Sequence, residues 1–399
     1  MADYNYTPLL TTKLLDTAGN SLIKRDISEK ILDLDSLSYP LTAIIKSKYL
    51  KNKVGGVSAP ATNYKFEVMY SPTHSLTTTV QTTPTNPTTD TTIAVADSTV
   101  FVVDMVVLEV DVNELMLVTA VDHSAGTITV TRGFADTTAG SIAAGHKLFP
   151  LGTAKAEAGD FGTGRMINLE IDYNYTQIFE TPVETSLRAT VIAAYGDDPS
   201  RWERTRRDSA ITHQIDMERA FIWGKKSETT TSNGIRTTTD GFINLIDSGN
   251  LWDVGGALTK ADLDDYLADV FNYTNARRVK FAFCNNKFLS VFNTLMDGYI
   301  RIGQSEKLFG WSYTHYKGYY GDLYLFPHRL LTEYSSNGYA LVVDPDYINY
   351  KPLKGFDTSV IRLDPASYKA YKIGEVIYTD AGLELLYPQA HGVIKGITG

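Results

Sequence analysis

The chain has 399 residues, enough for about two or three domains with sizeable cores, and a net charge of −9. This acidic balance offers no electrostatic reason to expect a nucleic-acid binder, because such proteins usually carry a basic face. No stretch approaches the ~20 apolar residues that span a membrane, and the single cysteine, Cys284, excludes an intrachain disulfide.

Residues 1–60 hold short apolar clusters without a sustained period, and the sequence begins without the basic and apolar regions of a signal peptide. Ile27, Ile31 and Leu34 have helical spacing and predict a short helix. The segment is too apolar for a disordered tail and too poor in apolar residues for a core of its own. We therefore expect an arm that lies on its own subunit or on a neighbour.

Residues 85–150 predict a compact all-β unit of short β-branched strands separated by polar or Gly-containing turns. This stretch has eight acidic and two basic side chains, a net charge of −6, and a Thr/Pro-rich run at 76–92 predicts a linker that leads into it. Strand-like sequence flanks the unit at 63–70 and 165–171. This arrangement predicts a long hairpin that carries a small inserted domain.

Residues 198–224 predict one long helix. Asp198 is a good N-cap, Pro199 fits the first helical position, and Gly224 can adopt the left-handed conformation that ends a helix. The apolar residues form two stripes, so we predict that one packs in the core and the other, with three arginines, contacts neighbouring subunits. The predicted core residues are Ile211, Ile215 and Ile222, and the predicted interface residues are Arg204, Arg206, Arg207, Met217 and Phe221. A surface helix of a monomer, with its charges solvated, is the alternative.

The C-terminal half predicts mixed structure. Amphipathic helices are predicted at 262–271 and 286–296, around a buried strand at 279–284, and strands return after residue 303. This pattern indicates an α+β lobe.

No group of residues predicts a catalytic, cofactor or metal site. The seven histidines are scattered without ligand spacing. Asp344 and Asp346 are too few ligands for Ca²⁺ and fit a turn at Pro345. We therefore expect no enzyme activity, no cofactor and no metal.

The order of these parts resembles the major capsid protein of tailed bacteriophages, which has the Hong Kong 97-type fold. Three stretches look like phage major head proteins, namely TQIFETPVETS, DPSRWERTRRDSAITHQIDMERAFIWGKK and LYPQAHGVIKGI. A fourth, VTAVDHSAGTITVTRGFADTTAGSIAAGHKLF, looks like a β module that recurs in phage virion proteins. The likeness covers most of the chain and weakens in the first 60 residues and from Trp311 to Phe326.

The resemblance implies an α+β, Hong Kong 97-type fold with a small all-β domain inserted in its E-loop. The implied parts are an N-terminal arm (1–60), an extended hairpin or E-loop (61–84 and 151–180), the inserted domain (85–150), a P domain (181–240 and 346–399) with the spine helix (198–224), and an A domain (241–345).

The resemblance also implies a structural function. Copies of the chain are expected to form pentamers and hexamers of an icosahedral head around packaged double-stranded DNA, without sequence-specific DNA binding and without a membrane. A separate scaffolding protein, a portal and decoration proteins are the expected partners, and assembly in the host cytoplasm is expected to precede the virion. The alternatives are an encapsulin-like nanocompartment shell, a tail, baseplate or adhesin protein, and an enzyme.

Overall fold

Two compact units make up the chain. In the computed structural model, one unit is Met1–Val68 with Asp172–Gly399, and the other is Met69–Ile171. The described residues are 39–46, 60–70, 77–157, 159, 161–162, 170–189, 201–246, 248–272, 278–296, 306–308, 311–318, 320–363 and 371–398. The predicted arm helix, the predicted N-cap of the long helix and most of the predicted strand at 165–171 lie outside them.

The smaller unit contains a six-stranded antiparallel sheet. Its strands are β2 (Thr78–Thr79), β3 (Thr92–Ala94), β4 (Met105–Glu109), β5 (Glu114–Asp122), β6 (Thr127–Thr131) and β7 (Lys147–Thr153). Their order in the sheet is β2-β7-β4-β5-β6-β3. One face packs on a closed core that includes Phe101, Val107, Met116, Val118, Ile128 and Leu148.

The predicted limits of this unit, 85–150, are too narrow. β2 pairs with β7, and Val80 is 1% exposed, so the predicted Thr/Pro linker belongs partly to the sheet and its core. Arg132 donates to the carbonyl oxygens of Pro87 and Asp90 at 3.1 and 3.2 Å, which holds this run against the unit. Sequence composition alone did not reveal these long-range bonds.

A two-stranded hairpin contains the two points where the chain passes between the units, and a seven-stranded sheet lies within the larger unit. β1 (Lys65–Tyr70) pairs with β8 (Glu170–Tyr175). The larger sheet consists of β12 (Leu251–Asp253), β13 (Val279–Cys284), β14 (Glu306–Leu308), β15 (Trp311–Lys317), β16 (Asp322–Pro327), β17 (Gly338–Val343) and β21 (Gly392–Ile397), in the order β12-β21-β17-β13-β16-β15-β14. β13 is parallel to β16 and antiparallel to β17, and this central position explains its nearly continuous apolar sequence.

The other sheet of the larger unit is built around one long strand. Its members are β9 (Gln177–Ser186), β18 (Ile348–Pro352), β19 (Ser359–Leu363) and β20 (Lys372–Leu385). β9 pairs along one edge of β20, and β18 and β19 pair with successive parts of the other edge.

Among the described residues, one α-helix is long and the others are short. The helices are α1 (residues 40–46), α2 (Arg201–Trp223), α3 (Phe242–Leu245), α4 (Lys260–Asn272), α5 (Asn286–Met296) and α6 (Arg329–Tyr334). The buried face predicted for α4 is confirmed, with Leu263, Tyr266, Leu267 and Val270 inward. Within the described ranges, no helix combines the length and apolar character needed to cross a membrane.

The seven-stranded sheet separates two cores of the larger unit. Ala282 of β13 and Val342 of β17 pack with α4 and α5 on one side. Phe283 and Leu341, the next residues on the same strands, pack on the other side with α2, α3 and β20. The predicted α+β class is confirmed by this layered arrangement.

Two details of the sequence prediction are wrong. β21 lies beside β12 and β17, so residues 392–397 join the sheet of the predicted A domain rather than the rest of 346–399. A polar hairpin, β10 (Ser227–Thr231) with β11 (Gly234–Thr238), follows α2 and was not predicted.

Gly224 ends α2 for a different reason from the one predicted. Its φ is not positive, so it is not a left-handed cap. A Cβ at this position would instead clash with the carbonyl oxygens of Ala220 and Thr239. The glycine therefore permits a close approach between two backbone segments.

Candidate assembly surfaces

The long helix α2 buries the stripe that was predicted to contact neighbours. Met217 and Phe221 are both 0% exposed. The ring of Phe221 lies edge-on to those of Phe179 and Tyr350, with centroids 6.0 and 6.2 Å apart. These two residues therefore belong to the core of their own chain, and their assignment to a subunit interface is wrong.

The predicted core stripe is divided. Ile222 is 0% exposed and lies in the core, whereas Ile211 and Ile215 are only half-buried. Helical spacing identified two apolar stripes but did not show which one faces the two sheets.

The arginines of α2 also have partners within the chain. Nε of Arg206 lies 2.6 Å from the Glu375 carboxylate, which Arg362 also approaches at 3.3 Å. Arg204 lies 3.9 Å from Asp208 on the same helix, and Arg207 is exposed. Arg206 therefore stabilises the packing of α2 on β20. The sequence predicted only a contact between Arg206 and a neighbouring subunit.

A buried carboxylate connects three distant parts of the larger unit. Glu218 is 0% exposed and accepts hydrogen bonds from the backbone N–H groups of Leu41 and Thr42 at 2.9 and 2.6 Å, as well as from the Thr42 hydroxyl. Nε2 of His328 lies 2.8 Å from Oε1 of Glu218, the same oxygen that accepts from the N–H of Leu41. An acidic group is well placed at the start of a helix, so Glu218 holds α1 in position.

A second buried polar layer lies one turn earlier on α2. His213 hydrogen-bonds to the hydroxyls of Thr181 and Thr379 at 3.0 and 2.8 Å. Burial, and secondarily the charge of Lys46, lowers the pKa of His213 to about 4. Burial likewise lowers the pKa of Lys46 to about 8. The network stabilises neutral imidazole against the sheet, and sequence spacing did not reveal it.

Strand β19 is an open edge that carries apolar side chains. Val360 and Ile361 are 48% and 50% exposed, and as consecutive residues they project to opposite faces of the strand. In the described part of the chain β19 pairs only with β20, so its other edge is unpaired. Such an edge is a site for pairing with another chain.

The smaller unit has an apolar outer face on its sheet. Leu108 of β4 lies opposite Phe149 of β7 and Leu115 of β5, and these side chains alternate with residues of the closed core. Phe149 and Leu151 are 41% and 53% exposed. Because antiparallel sheets usually present polar residues to water, this face is a second candidate contact surface.

Other polar groups considered in the sequence have structural partners. Asp344 pairs with the fully buried Lys280 at 3.4 Å, and burial raises the pKa of this carboxyl. The backbone N–H of Asp346 donates to Oδ1 of Asp344 at 3.0 Å, as expected for a turn at Pro345. Among the remaining histidines, His146 lies beside Glu109 and Asp111, a grouping that the spacing of these residues in the sequence did not predict.

Comparison with known proteins identifies the family. The family model described as SU10 major capsid protein matches residues 10–398. The major capsid protein of Pseudomonas phage PaMx41 is 27% identical over 297 residues, covering 68% of this chain and 70% of that protein.

Three solved structures also match the chain. The capsid of a native GTA particle matches at a TM-score of 0.48 and 13% identity, covering 98% of this chain and 100% of that chain. A Mycobacterium phage Che8 structure matches at 0.45 and 11% identity, covering 94% and 98%. The SrpI encapsulin of Synechococcus elongatus PCC 7942 matches at 0.42 and 14% identity, covering 58% and 78%.

The assignment follows from the family model, which matches nearly the whole chain. It agrees with the phage major capsid protein family recognised from the sequence resemblance. The chain belongs to the SU10 major capsid protein family, and it is a structural protein of a phage capsid.

Proposed function

We propose that copies of this chain assemble as pentamers and hexamers into an icosahedral head that encloses double-stranded DNA. The proposal rests on the open edge of β19 and its exposed apolar side chains, in a chain that belongs to a major capsid protein family. A second copy of the chain can cover this edge by strand pairing. The net charge of −9 suits a container that does not hold DNA tightly, because an acidic chain gains little electrostatic attraction to DNA phosphates.

The parts of the chain have distinct roles in this proposal. Residues 1–60 act as an arm, the β1–β8 hairpin is the base of the E-loop, and the compact unit Met69–Ile171 includes the insertion. We place the acidic inserted unit on the outer surface, because its charge is unfavourable beside DNA phosphates. Its apolar sheet face then contacts a neighbouring insertion or covers a gap between capsomers.

Other proteins complete the assembly. We propose a separate scaffolding protein, a portal and decoration proteins as partners, with assembly in the host cytoplasm and no enzymatic step by this chain. Release of DNA rather than a cargo enzyme from purified particles distinguishes a phage head from a nanocompartment.

The test compares Ile361→Lys with Ile361→Val, each co-expressed with the scaffolding protein. Lysine at an exposed edge leaves the fold intact but opposes strand pairing, whereas valine keeps the apolar edge. We expect electron microscopy to show shells for wild type and Ile361→Val, and light scattering to show soluble unassembled subunits for Ile361→Lys. If the wild-type chain remained a 44.1 kDa monomer in the presence of the scaffolding protein, the proposal that it forms a shell would be wrong. Normal shells from Ile361→Lys would exclude only the β19 contact.

A further inference from the structure

Three potential metal ligands meet at one end of the sheet in the smaller unit. Glu109 is the last residue of β4, Asp111 lies in the turn to β5, and His146 immediately precedes β7. One donor atom from each lies within 4.8 Å of the other two. The pairing of β4 with β7 brings His146 to the turn although it is far away in sequence.

Backbone groups orient both carboxylates. The N–H of Val112 donates to Oε2 of Glu109 at 2.6 Å, and the N–H of Lys147 donates to Oδ2 of Asp111 at 3.0 Å. Each carboxylate thus has one oxygen occupied by a backbone donor and a second oxygen available. Such outer contacts are typical of residues that hold a metal.

The contact between Glu109 and His146 is close but is not a well-formed hydrogen bond. Oε1 of Glu109 and Nδ1 of His146 are 2.7 Å apart, and the Glu109 side chain is 0% exposed. Neither atom has a hydrogen-bond partner of acceptable geometry among the described residues. A buried carboxylate oxygen left in this state is costly, and a cation that both atoms can reach would remove the cost.

We propose that Glu109, Asp111 and His146 bind one divalent transition-metal ion of the Zn²⁺ class, with water completing the coordination. One imidazole nitrogen and two carboxylate oxygens suit such an ion. Ca²⁺ and Mg²⁺ favour sets of six or more oxygen ligands, so they fit this donor set poorly. The bound ion would join the β4–β5 turn to the start of β7.

The experiment uses the full-length, unassembled chain after treatment with EDTA and titrates it with ZnCl₂ in a calorimeter. We expect one zinc ion per wild-type chain and a higher unfolding temperature with zinc. His146→Ala and Asp111→Asn should each weaken binding about tenfold or more. His123→Ala is the matched control, because His123 lies in the same unit but contacts Ser98 rather than the proposed site. The His123→Ala variant should bind zinc with the same affinity as wild type.

Three results would overturn the proposal. Absence of zinc binding by the folded wild-type chain would leave a Glu109–His146 ion pair without metal. The side chain of Asp111 is exposed, so its replacement by asparagine should not disturb folding. If Asp111→Asn bound zinc with unchanged affinity, any bound zinc would lie elsewhere. A preference for Ca²⁺ over Zn²⁺ would also contradict the role of the imidazole. None of these readouts depends on shell formation.

Discussion

The side chains of α2 show how far helical spacing determines burial. His213, Met217 and Phe221 follow one another at intervals of four and are buried, together with Glu218 and Ile222. A polar histidine and a glutamate therefore share the inward face with apolar residues. Since both are satisfied by partners from other elements, the inward face could not be recognised from hydrophobicity alone.

The first prediction compares Phe221→Ala with Ile215→Ala. Phe221 is fully buried, so its truncation should lower the free energy of unfolding by about 3–5 kcal/mol. Ile215 is half-buried and its truncation should cost clearly less. Urea denaturation of the two variants measures the difference, and a larger loss for Ile215→Ala would show that the helix is rotated from the described position.

The second prediction concerns pH. The ordinary pKa of histidine is 6.5, and burial lowers the pKa of His213 to about 4. Between pH 4 and pH 6.5 the unfolded chain therefore binds more protons than the folded chain. Stability should fall as pH drops from 6.5 to 4, by roughly 3 kcal/mol at most from this group. In His213→Gln this contribution disappears. Urea denaturation across the window should show a shallower acid loss for the variant, and equal slopes would show that His213 takes up protons normally in the folded chain.

Residues of the candidate sites were harder to predict than their elements. The sequence identified Arg206 as important but not its partner, because Glu375 lies on a strand far along the chain. His146 lacked ligand spacing because Glu109 reaches it only through strand pairing. Contacts of this kind depend on tertiary structure and leave no local pattern.

At the scale of elements, strongly patterned segments were predicted well. The second predicted helix of the α+β lobe, α5, begins and ends at the predicted residues, and the buried strand β13 also has the predicted limits. The β10–β11 hairpin was missed because its residues are mostly exposed and polar, so it has no apolar alternation. The end of α2 was placed correctly at Gly224, but by the wrong mechanism.

The third prediction tests that mechanism with Gly224→Ala. The added methyl group would meet backbone oxygen atoms that cannot move independently, so we expect a loss of about 1–3 kcal/mol. Gly256→Ala is the control, because the nearest atom to its added Cβ would be 4.0 Å away. Unfolding in urea should distinguish the two, and equal stabilities would show that no close approach exists at Gly224.

At the scale of the whole molecule, the family was recognised from the sequence, whereas the limits of the small unit were not. The family match extends over residues 10–398, in agreement with the resemblance recognised from the sequence. The inserted unit is wider than predicted because β2 and β7 close its sheet, and β21 returns to the seven-stranded sheet. Both errors arise where a strand pairs with a partner distant in sequence.

The fourth prediction is that the smaller unit can be removed. Replacing residues 77–157 with a short Gly/Ser bridge removes the whole sheet, including β2 and β7. The flanking strands β1 and β8 pair, so the bridge has a short distance to span. Circular dichroism and urea denaturation should show a soluble, cooperatively folded subunit, whose shells are absent or less stable. An insoluble product would show that the unit is required for folding of the rest.

The contacts of Glu218 also determine when α1 can reach its final position during synthesis. Thr42 bonds to Glu218, and Glu218 in turn contacts His328. At about 5–20 residues per second, the roughly 290 residues between Thr42 and His328 take on the order of 15–60 s to translate. Leu41 and Ile45, each 1% exposed in the finished fold, therefore remain without their final cover until most of the chain has left the ribosome. Docking of α1 is consequently a late event in the life of each newly made subunit.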